Sequence, residues 1–461
     1  MSITATEASL HFSSKAVSPW GGLALMQRML SAIGFRTAAE RWSLPQPGSN
    51  RGFAPVMLIE QFLVSLWCGA NRFSQLEVNG PRPAPRSDRV LARVFGWTTC
   101  AGHRAVVRLF ERFDLATSSR VQQEIYGWFF SQLSIKRITL DVDSSVITRW
   151  GKQQQGARGL ARSLPLGHNP RHHGRASHHP LIAFVADCRM IANFWLRPGD
   201  CSSAGNMLSF LEATRVHLGN TSIGLLRADS GFFADEILKT LEYSGTDYVV
   251  AAKLTAPLQA QLMKARGWWA LEPGLELCEF DYQAGNWGAP RRMVAIRQSV
   301  KLRETAPGKT LSLFKDDPDM KLWRYGVVCT TLKLSALEVW RTYRGRADCE
   351  NRIKELKADF GLESFNLRDF WATEAALTAT MLAYNLMSLF RQSIMRTSVQ
   401  PTMATLRHQV FAAAAWCGDQ NGPRADQYTV AMPRQRRAWF SGLWSAALDP
   451  PRIPDLVPNT S

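Results

Sequence analysis

The sequence predicts an α/β fold with a helical N-terminal domain and a strand-rich stretch late in the chain. Three observations lead there. Residues from about 20 to 130 carry apolar residues at helical spacing. After Ile135 the pattern turns β-branched and alternating, then interleaves strands with helices. From about 256 to 340 aromatic and β-branched residues return without helical periodicity.

The N-terminal helices are read from GGLALMQRMLSAIG, VMLIEQFLVSLWCG and VQQEIYGWFFSQL, whose ends carry glycine. Between the last two lies NGPRPAPRSDRVLARVFGW, a Pro/Arg-rich break before a basic helix. Arg86, Arg89 and Arg93 there suit a nucleic-acid backbone, or equally a solvated charged face. KRITLDVDSSVITRW reads as a strand, and HHPLIAFVADCRMIANFWLRPGD as two strands turning at Asp187 to Arg189. NMLSFLEATRVHLG is a helix, IGLLRADSGFF a buried strand, ADEILKTLEYSG a glycine-closed helix, and TDYVVAAKL a strand. Helix resumes from about Ala336 to Arg396. This order divides the chain into 1–130, helical and a candidate DNA-binding domain; 131–255, the first part of an α/β core; 256–340, a β insertion; 341–400, the core's later helices; and 401–461, a basic tail suited to dimerisation or disorder. Its end, DPPRIPDLVPNTS, is expected to be disordered.

The 461 residues include 55 Lys plus Arg against 38 Asp plus Glu, a formal net charge of +17 that favours polyanions, nucleic acid first and an anionic membrane surface second. The 8 cysteines form no C-x-x-C pair and match no zinc or disulfide framework, which fits a reducing cytosol. MSITATEASLHFSSK lacks the apolar core of a signal peptide. The longest apolar run, Ala375 to Phe390, includes Thr378, Thr380, Asn385 and Ser388 and reads as a buried helix rather than a membrane span.

Asp141 and Asp143 end one strand, and Asp229 ends another. Strand ends are where open α/β sheets bind ligands, although turn capping is the commoner use of such an aspartate. Glu350 lies in YRGRADCENRIKELKADFG. At about 100° per residue, with Tyr343 at zero, Arg346 falls near −60°, Glu350 near −20° and Lys357 near −40°, one stripe of one helix. A solvated face with an Arg346–Glu350 ion pair is the plain reading. The strongly apolar WATEAALTATMLAYNLMSLF beside it argues that the stripe docks near the core. Three carboxylates suit Mg²⁺, which takes oxygen ligands, and two such ions about 3.5–4 Å apart stabilise both oxygens of a phosphodiester displacement. Arg346 and Lys357 would then hold phosphates.

Tyr343-x₂-Arg346-x₃-Glu350-x₆-Lys357 resembles the Tyr-Arg-Glu-Lys signature of a large branch of DDE transposases. LDVDSS and LRADSGFF resemble that branch's two aspartate motifs. GGLALMQRML, GKQQQGARG, HHPLIAF, LRPGDCSSAGN, YRGRADCENRIKELKADFGL and LAYNL resemble the bacterial insertion-sequence group numbered thirteen-eighty. The resemblance implies an RNase H-like catalytic core interrupted by the β insertion. It implies catalysis by Asp143, Asp229 and Glu350 on two Mg²⁺ or Mn²⁺ ions, with water and then a freed 3′ hydroxyl as nucleophiles. Its partners would be double-stranded DNA, both transposon ends and target, and a second copy of the chain in a dimer or larger assembly, with no membrane. The implied setting is a bacterial cytoplasm. In relatives an insertion aromatic stacks on a flipped base; Trp323 or Tyr325 stands in a similar place, and a core aromatic is the other reading of each.

Asp141 and Asp143 point to one face of their strand, so periodicity does not choose between them. Ser144-Ser145 matches the family pattern after Asp143, which makes Asp141 a supporting group or the alternative first carboxylate. His168, His172, His173, His178 and His179, with Arg171 and Arg175, read as a DNA-contacting or solvated loop rather than a zinc site. A non-transposing nuclease of the same fold and a catalytically dead DNA-binding descendant are the competing functions.

Overall fold

The computed structural model describes residues 10–12, 14–48, 52–78, 88–150, 153–157, 169, 172–299, 323–397, 399–418 and 427–450. The chain forms two compact units, one drawn from Met1–Arg112, Asp359–Phe365 and Leu389–Pro451, the other from Phe113–Ala358, Asn366–Ser388 and Arg452–Ser461.

The first unit begins with helices α1 (Ala24–Ala32), α2 (Phe35–Ala39), α3 (Pro55–Trp67), α4 (Arg89–Val94) and α5 (His103–Phe110). Pro55 opens α3, where a missing N–H loses nothing, and the helix is apolar on nearly every side and almost wholly buried. Phe62 stands at its centre, edge-on to Phe110 at 5.2 Å and to Phe365 at 5.1 Å. Asp88 caps α4 by accepting from the Val90 and Leu91 amides.

The second unit opens with α6 (Leu115–Ser131), capped by Asp114. Its sheet is built from β1 (Arg137–Ser144), β4 (Leu181–Val185), β5 (Met190–Trp195), β6 (Ser222–Ala228), β7 (Asp247–Ala251), β8 (Trp269–Glu272), β9 (Leu275–Tyr282), β10 (Arg291–Ser299) and β11 (Trp323–Thr330). These nine strands lie in the order β5-β4-β1-β6-β7-β11-β10-β9-β8. β1, β6 and β7 run parallel, and the other pairings are antiparallel. The strand-rich stretch after 256 therefore extends the same sheet, through β11 on β7. A short hairpin of β2 (Ile147–Thr148) and β3 (Ser177–His178) stands off it. The crossovers are α7 (Met207–Leu218) between β5 and β6, and α8 (Asp235–Tyr243) between β6 and β7. Residues 256–264, expected among strands, form α9 (Ala256–Lys264). Pro257 in its first turn and Leu258 and Leu262 buried four apart fit a helix, a short periodicity overshadowed by the aromatic run that follows.

α10 (Ala336–Arg344), α11 (Ala347–Asp359) and α12 (Phe370–Phe390) complete this part of the chain. A capping box between Ser335 and Glu338 starts α10. Its apolar face covers a cluster of Val249, Leu277, Val294, Ile296 and Val328, with Trp340 and Tyr343 packed at the edge. α12 is buried almost throughout, and among the described residues no helix is long and apolar enough to cross a membrane. Its polar residues close the free edge of β5. Asn385 accepts from the Ile191 amide at 2.7 Å and donates to the Ile191 carbonyl at 2.8 Å. Glu374 accepts from the Leu196 amide.

The first unit then resumes with α13 (Met403–Leu406), a hairpin of β12 (Ala415–Cys417) and β13 (Tyr428–Val430), and α14 (Arg434–Ala446). Much of the expected basic tail is thus ordered, α14 being held by buried Phe440 and Leu443. The expected disordered end lies outside the described residues from 451 onward. All eight cysteines are free thiols, six of them buried.

Asn385→Ala would leave a buried N–H and a buried C=O of Ile191 without partners, a loss of about 2–4 kcal/mol. Urea denaturation should show the midpoint falling at constant slope. An unchanged midpoint would mean that the Asn385 contacts do not stabilise the sheet edge.

Candidate active site

The site is assembled at the C-terminal ends of two adjacent parallel strands. β1 and β6 are in register from Leu140–Leu226 through Asp141–Arg227 to Val142–Ala228. Asp143 and Asp229 each stand one residue beyond the last of these pairs. Side chains alternate along a strand, so Asp141 and Asp143 share a face, as do Arg227 and Asp229.

The stripe expected on a single helix is broken. α10 ends at Arg344, Gly345 follows, and α11 starts at Ala347. The Arg346 amide donates to the Tyr343 carbonyl in a tight turn. Tyr343 is therefore on the last turn of α10, Arg346 at the junction, and Glu350 and Lys357 on α11. A helical wheel assumes one axis, and it conceals such a turn.

Arg346 ties the carboxylates together. Its guanidinium lies 3.2 Å from Asp143 Oδ2 and 3.2 Å from Glu350 Oε1. Its side chain is 6% exposed, against 55% for Glu350. Burial opposes the Arg346 cation, but Asp143, Cys349, Tyr343 and Asp229 outweigh it and hold the group above its usual range. Burial likewise pushes the Asp143 carboxyl up to about 6; Arg346 pulls it down, while the charges of Asp229 and Glu350 push it up. The Tyr343 phenol is raised by burial, with Arg346 opposing and the three carboxylates adding. Asp143, Asp229, Glu350, Tyr343 and Arg346 thus lie within one another's fields.

Asp229 also caps a short turn, its Oδ1 accepting from the Gly231 amide at 2.8 Å. Lys357 donates to the Val146 carbonyl at 2.9 Å, which joins α11 to the loop after β1. Asp141 is 1% exposed, and Arg227 grips both its oxygens at 2.6 and 2.8 Å. Burial raises the Asp141 carboxyl and Arg227 opposes it.

In the β extension Tyr325 is buried and edge-on to Trp268. Half-buried Trp323 has the Arg297 guanidinium 4.6 Å from its ring centre, and Trp268 takes the other contact at 4.4 Å. Of the histidine group, His168 and Arg171 lie outside the described residues, as does Arg86 of the basic stretch. His178 and His179 are buried rather than in a solvated loop. The Arg149 Nε donates to His178 Nδ1, and burial together with Arg149 lowers the His178 imidazole to about 4. His172 stacks edge-on against Trp150, which also carries the Arg175 guanidinium. The Arg93 side chain donates to the Gly418 carbonyl.

Two groups escaped the sequence reading. Arg197 donates through Nη2 to Ser144 Oγ, beside Asp143, and through Nε to the His179 carbonyl. Arg227 is the other. Its signal was present: a lone cation inside an apolar strand, two residues before a candidate aspartate.

Carboxylate oxygens are a suitable donor set for a hard dication. With Arg346 between Asp143 and Glu350, however, no group of three His, Cys, Asp or Glu among the described residues is arranged to hold a metal ion.

Asp143 gives the site a pH signature. Its folded value, about 6, exceeds its ordinary 3.8, so the stability it contributes is full below the ordinary value and is lost as pH rises through about 6. In metal-free buffer the wild type should therefore lose stability relative to Asp143→Asn between about pH 4 and about pH 6. Parallel stability profiles of the two proteins across that window would contradict the burial and coupling of Asp143.

No curated protein matches the chain. A cryo-EM structure of a piggyBac transposase synaptic complex with hairpin DNA is similar at a TM-score of 0.43 and 9% identity, over 86% of this chain and 82% of that one. The family described as transposase DDE domain group 1 matches residues 2–433, and the chain belongs to that family.

Proposed function

We propose that this protein is a DNA transposase that binds the terminal inverted repeats of an insertion sequence, cleaves DNA strands at the element's ends and joins them to target DNA. The observation that supports this most is the gathering of Asp143 and Glu350 on Arg346, each at 3.2 Å, with Asp229 beside Asp143 on the adjacent parallel strand, in a chain of the DDE family. In this reading the core is RNase H-like, β8–β11 with α9 is its insertion, and the element belongs to the thirteen-eighty group.

Asp143, Asp229 and Glu350 are the oxygen donors that would hold the divalent metal once Arg346 releases Asp143 and Glu350, and the metal would supply stabilisation of charge on the attacking and leaving oxygens. The protein's own contribution is positional. β1 and β6 fix two carboxylates side by side on rigid elements, and α11 carries the third. Arg346, shared here between Asp143 and Glu350, would give up those contacts when the carboxylates take the metal and would then offer a DNA phosphate oxygen a paired N–H contact. Tyr343, half-buried beside it, can donate its phenol proton to a phosphate, and burial, with the charges of the carboxylates, keeps that proton on. Lys357 fixes the loop after β1 and would also contribute positive charge toward DNA. Trp323, half-buried with Arg297 over its ring, is the candidate for stacking on a displaced base. The excess of 55 basic over 38 acidic residues favours duplex DNA as partner, and the assembly on two ends would be a dimer or larger.

Asp229→Ala should abolish Mg²⁺-dependent cleavage of a duplex copied from the flanks of the gene. Binding of that duplex, read by fluorescence anisotropy, should stay within about twofold, because phosphate contacts supply most of the affinity. Cleavage by the variant at the wild-type rate would remove Asp229 from the site. The logarithm of the binding constant should also fall steeply with the logarithm of salt concentration, by about 0.9 per phosphate neutralised. A flat dependence would mean that the basic excess does not serve DNA binding.

A further inference from the structure

Two residues before each candidate aspartate, the same two strands carry a second charged pair, Asp141 on β1 and Arg227 on β6, directly opposite each other in the parallel register. Arg227 uses all three guanidinium nitrogens. Nε and Nη2 donate to the two Asp141 oxygens at 2.6 and 2.8 Å, and Nη1 donates to the Thr342 carbonyl at 2.8 Å. Thr342 belongs to the last turn of α10, just before the turn that carries Tyr343 and Arg346. A Cβ on Gly345 would stand 2.5 Å from Arg227 Nη1, so with any other residue there the guanidinium would have to shift from its contact with Thr342.

We propose that Arg227, locked in place by Asp141, is the positioning residue of the carboxylate centre. It fixes the end of α10 to β1 and β6, and thereby sets where Arg346 and Glu350 stand relative to Asp143 and Asp229. This rests on the reading that those three carboxylates hold the metal. Stability alone does not account for the arrangement. A buried ion pair is generally no more stabilising than apolar side chains of similar volume in its place. What apolar side chains cannot supply is the third contact, a directed hydrogen bond from a sheet residue to one carbonyl of the α10–α11 junction. A lysine could neutralise Asp141, but its single ammonium lacks the planar fork that spans a carboxylate and a carbonyl.

The test uses the full chain with a duplex copied from the flanks of its gene. Wild type, Asp229→Ala, Arg227→Lys, Gly345→Ala and the double variant Asp141→Leu/Arg227→Met are compared. Protein-bound Mn²⁺ is followed by electron paramagnetic resonance, single-turnover cleavage is timed, and folding is checked by thermal denaturation. The wild-type complex should bind Mn²⁺ and the Asp229→Ala complex should not; if they bind alike, the reading of the carboxylates fails, whatever Arg227 does. If they differ, Arg227→Lys, Gly345→Ala and the double variant should each fold yet weaken Mn²⁺ binding about 10- to 100-fold, as loss of a supporting partner does. Cleavage at saturating Mn²⁺ should stay about a hundredfold slow, as for a small misplacement of reacting groups. A folded double variant with wild-type Mn²⁺ affinity and cleavage would overturn the proposal. Should the double variant not fold, wild-type affinity and rate in Arg227→Lys would overturn it equally.

Discussion

Crowding like charges at the end of a buried sheet is the constraint to which the rest of this structure responds. Asp141, Asp143, Asp229 and Glu350 gather around two guanidinium groups, Arg227 and Arg346. Carboxylates this close repel one another, and burial penalises each ionised form. Arg227 grips both oxygens of Asp141, yet burial still holds that carboxyl above its ordinary range. Burial likewise raises Asp143 to about 6, with the charges of Asp229 and Glu350 adding and Arg346, which it shares with Glu350, opposing.

The division of labour between the two acid–base pairs follows from strand geometry. A parallel pair places equivalent residues side by side, and the two-residue period repeats the arrangement one step along. The inner step, Asp141 with Arg227, is sealed and neutral overall. The outer step, Asp143 beside Asp229, lies at the strand ends where the sheet opens. The same two strands therefore provide both a fixed base and a half-buried acidic rim. α10 and α11 are attached to them by a carbonyl hydrogen bond at Thr342, by the Arg346 bridge and by Lys357 at Val146.

Elements defined by a strong period were legible in the sequence. β1, β4, β5, α7, β6, α8 and β7 fall where alternation or helical spacing put them, and the turn at Asp187 to Arg189 joins β4 to β5 as expected. The carboxylates at strand ends were legible for the same reason. Tertiary partners were not. The wheel joined Tyr343, Arg346, Glu350 and Lys357 on one axis because Gly345 in the α-helical region breaks no local rule; the Arg227 contact to Thr342 at that junction comes from a strand over a hundred residues earlier. His178 and His179 were taken for loop histidines because their burial depends on Arg149, Gln155 and Arg197, which reach them from other segments. α9 carries too few turns for its periodicity to stand out from the neighbouring aromatics.

The arginines make the same point about function. Composition alone invites reading the basic excess as a DNA-facing surface. Many of these cations are instead used inside the fold. Arg227 and Arg346 serve carboxylates, Arg197 and Arg407 gather carbonyls, Arg291 joins Asp235 to Glu242, and Arg297 lies between two tryptophans beside Glu276. Each of these is fixed by partners and would have to give up hydrogen bonds to meet a phosphate. Exposed arginines such as Arg89, Arg104, Arg434 and Arg437 are placed differently, since counterion release needs only proximity to the duplex and not a prearranged partner. A salt dependence of DNA binding would therefore count only a subset of the basic residues. The net charge predicts that a polyanion binds, while burial decides which arginines can touch it.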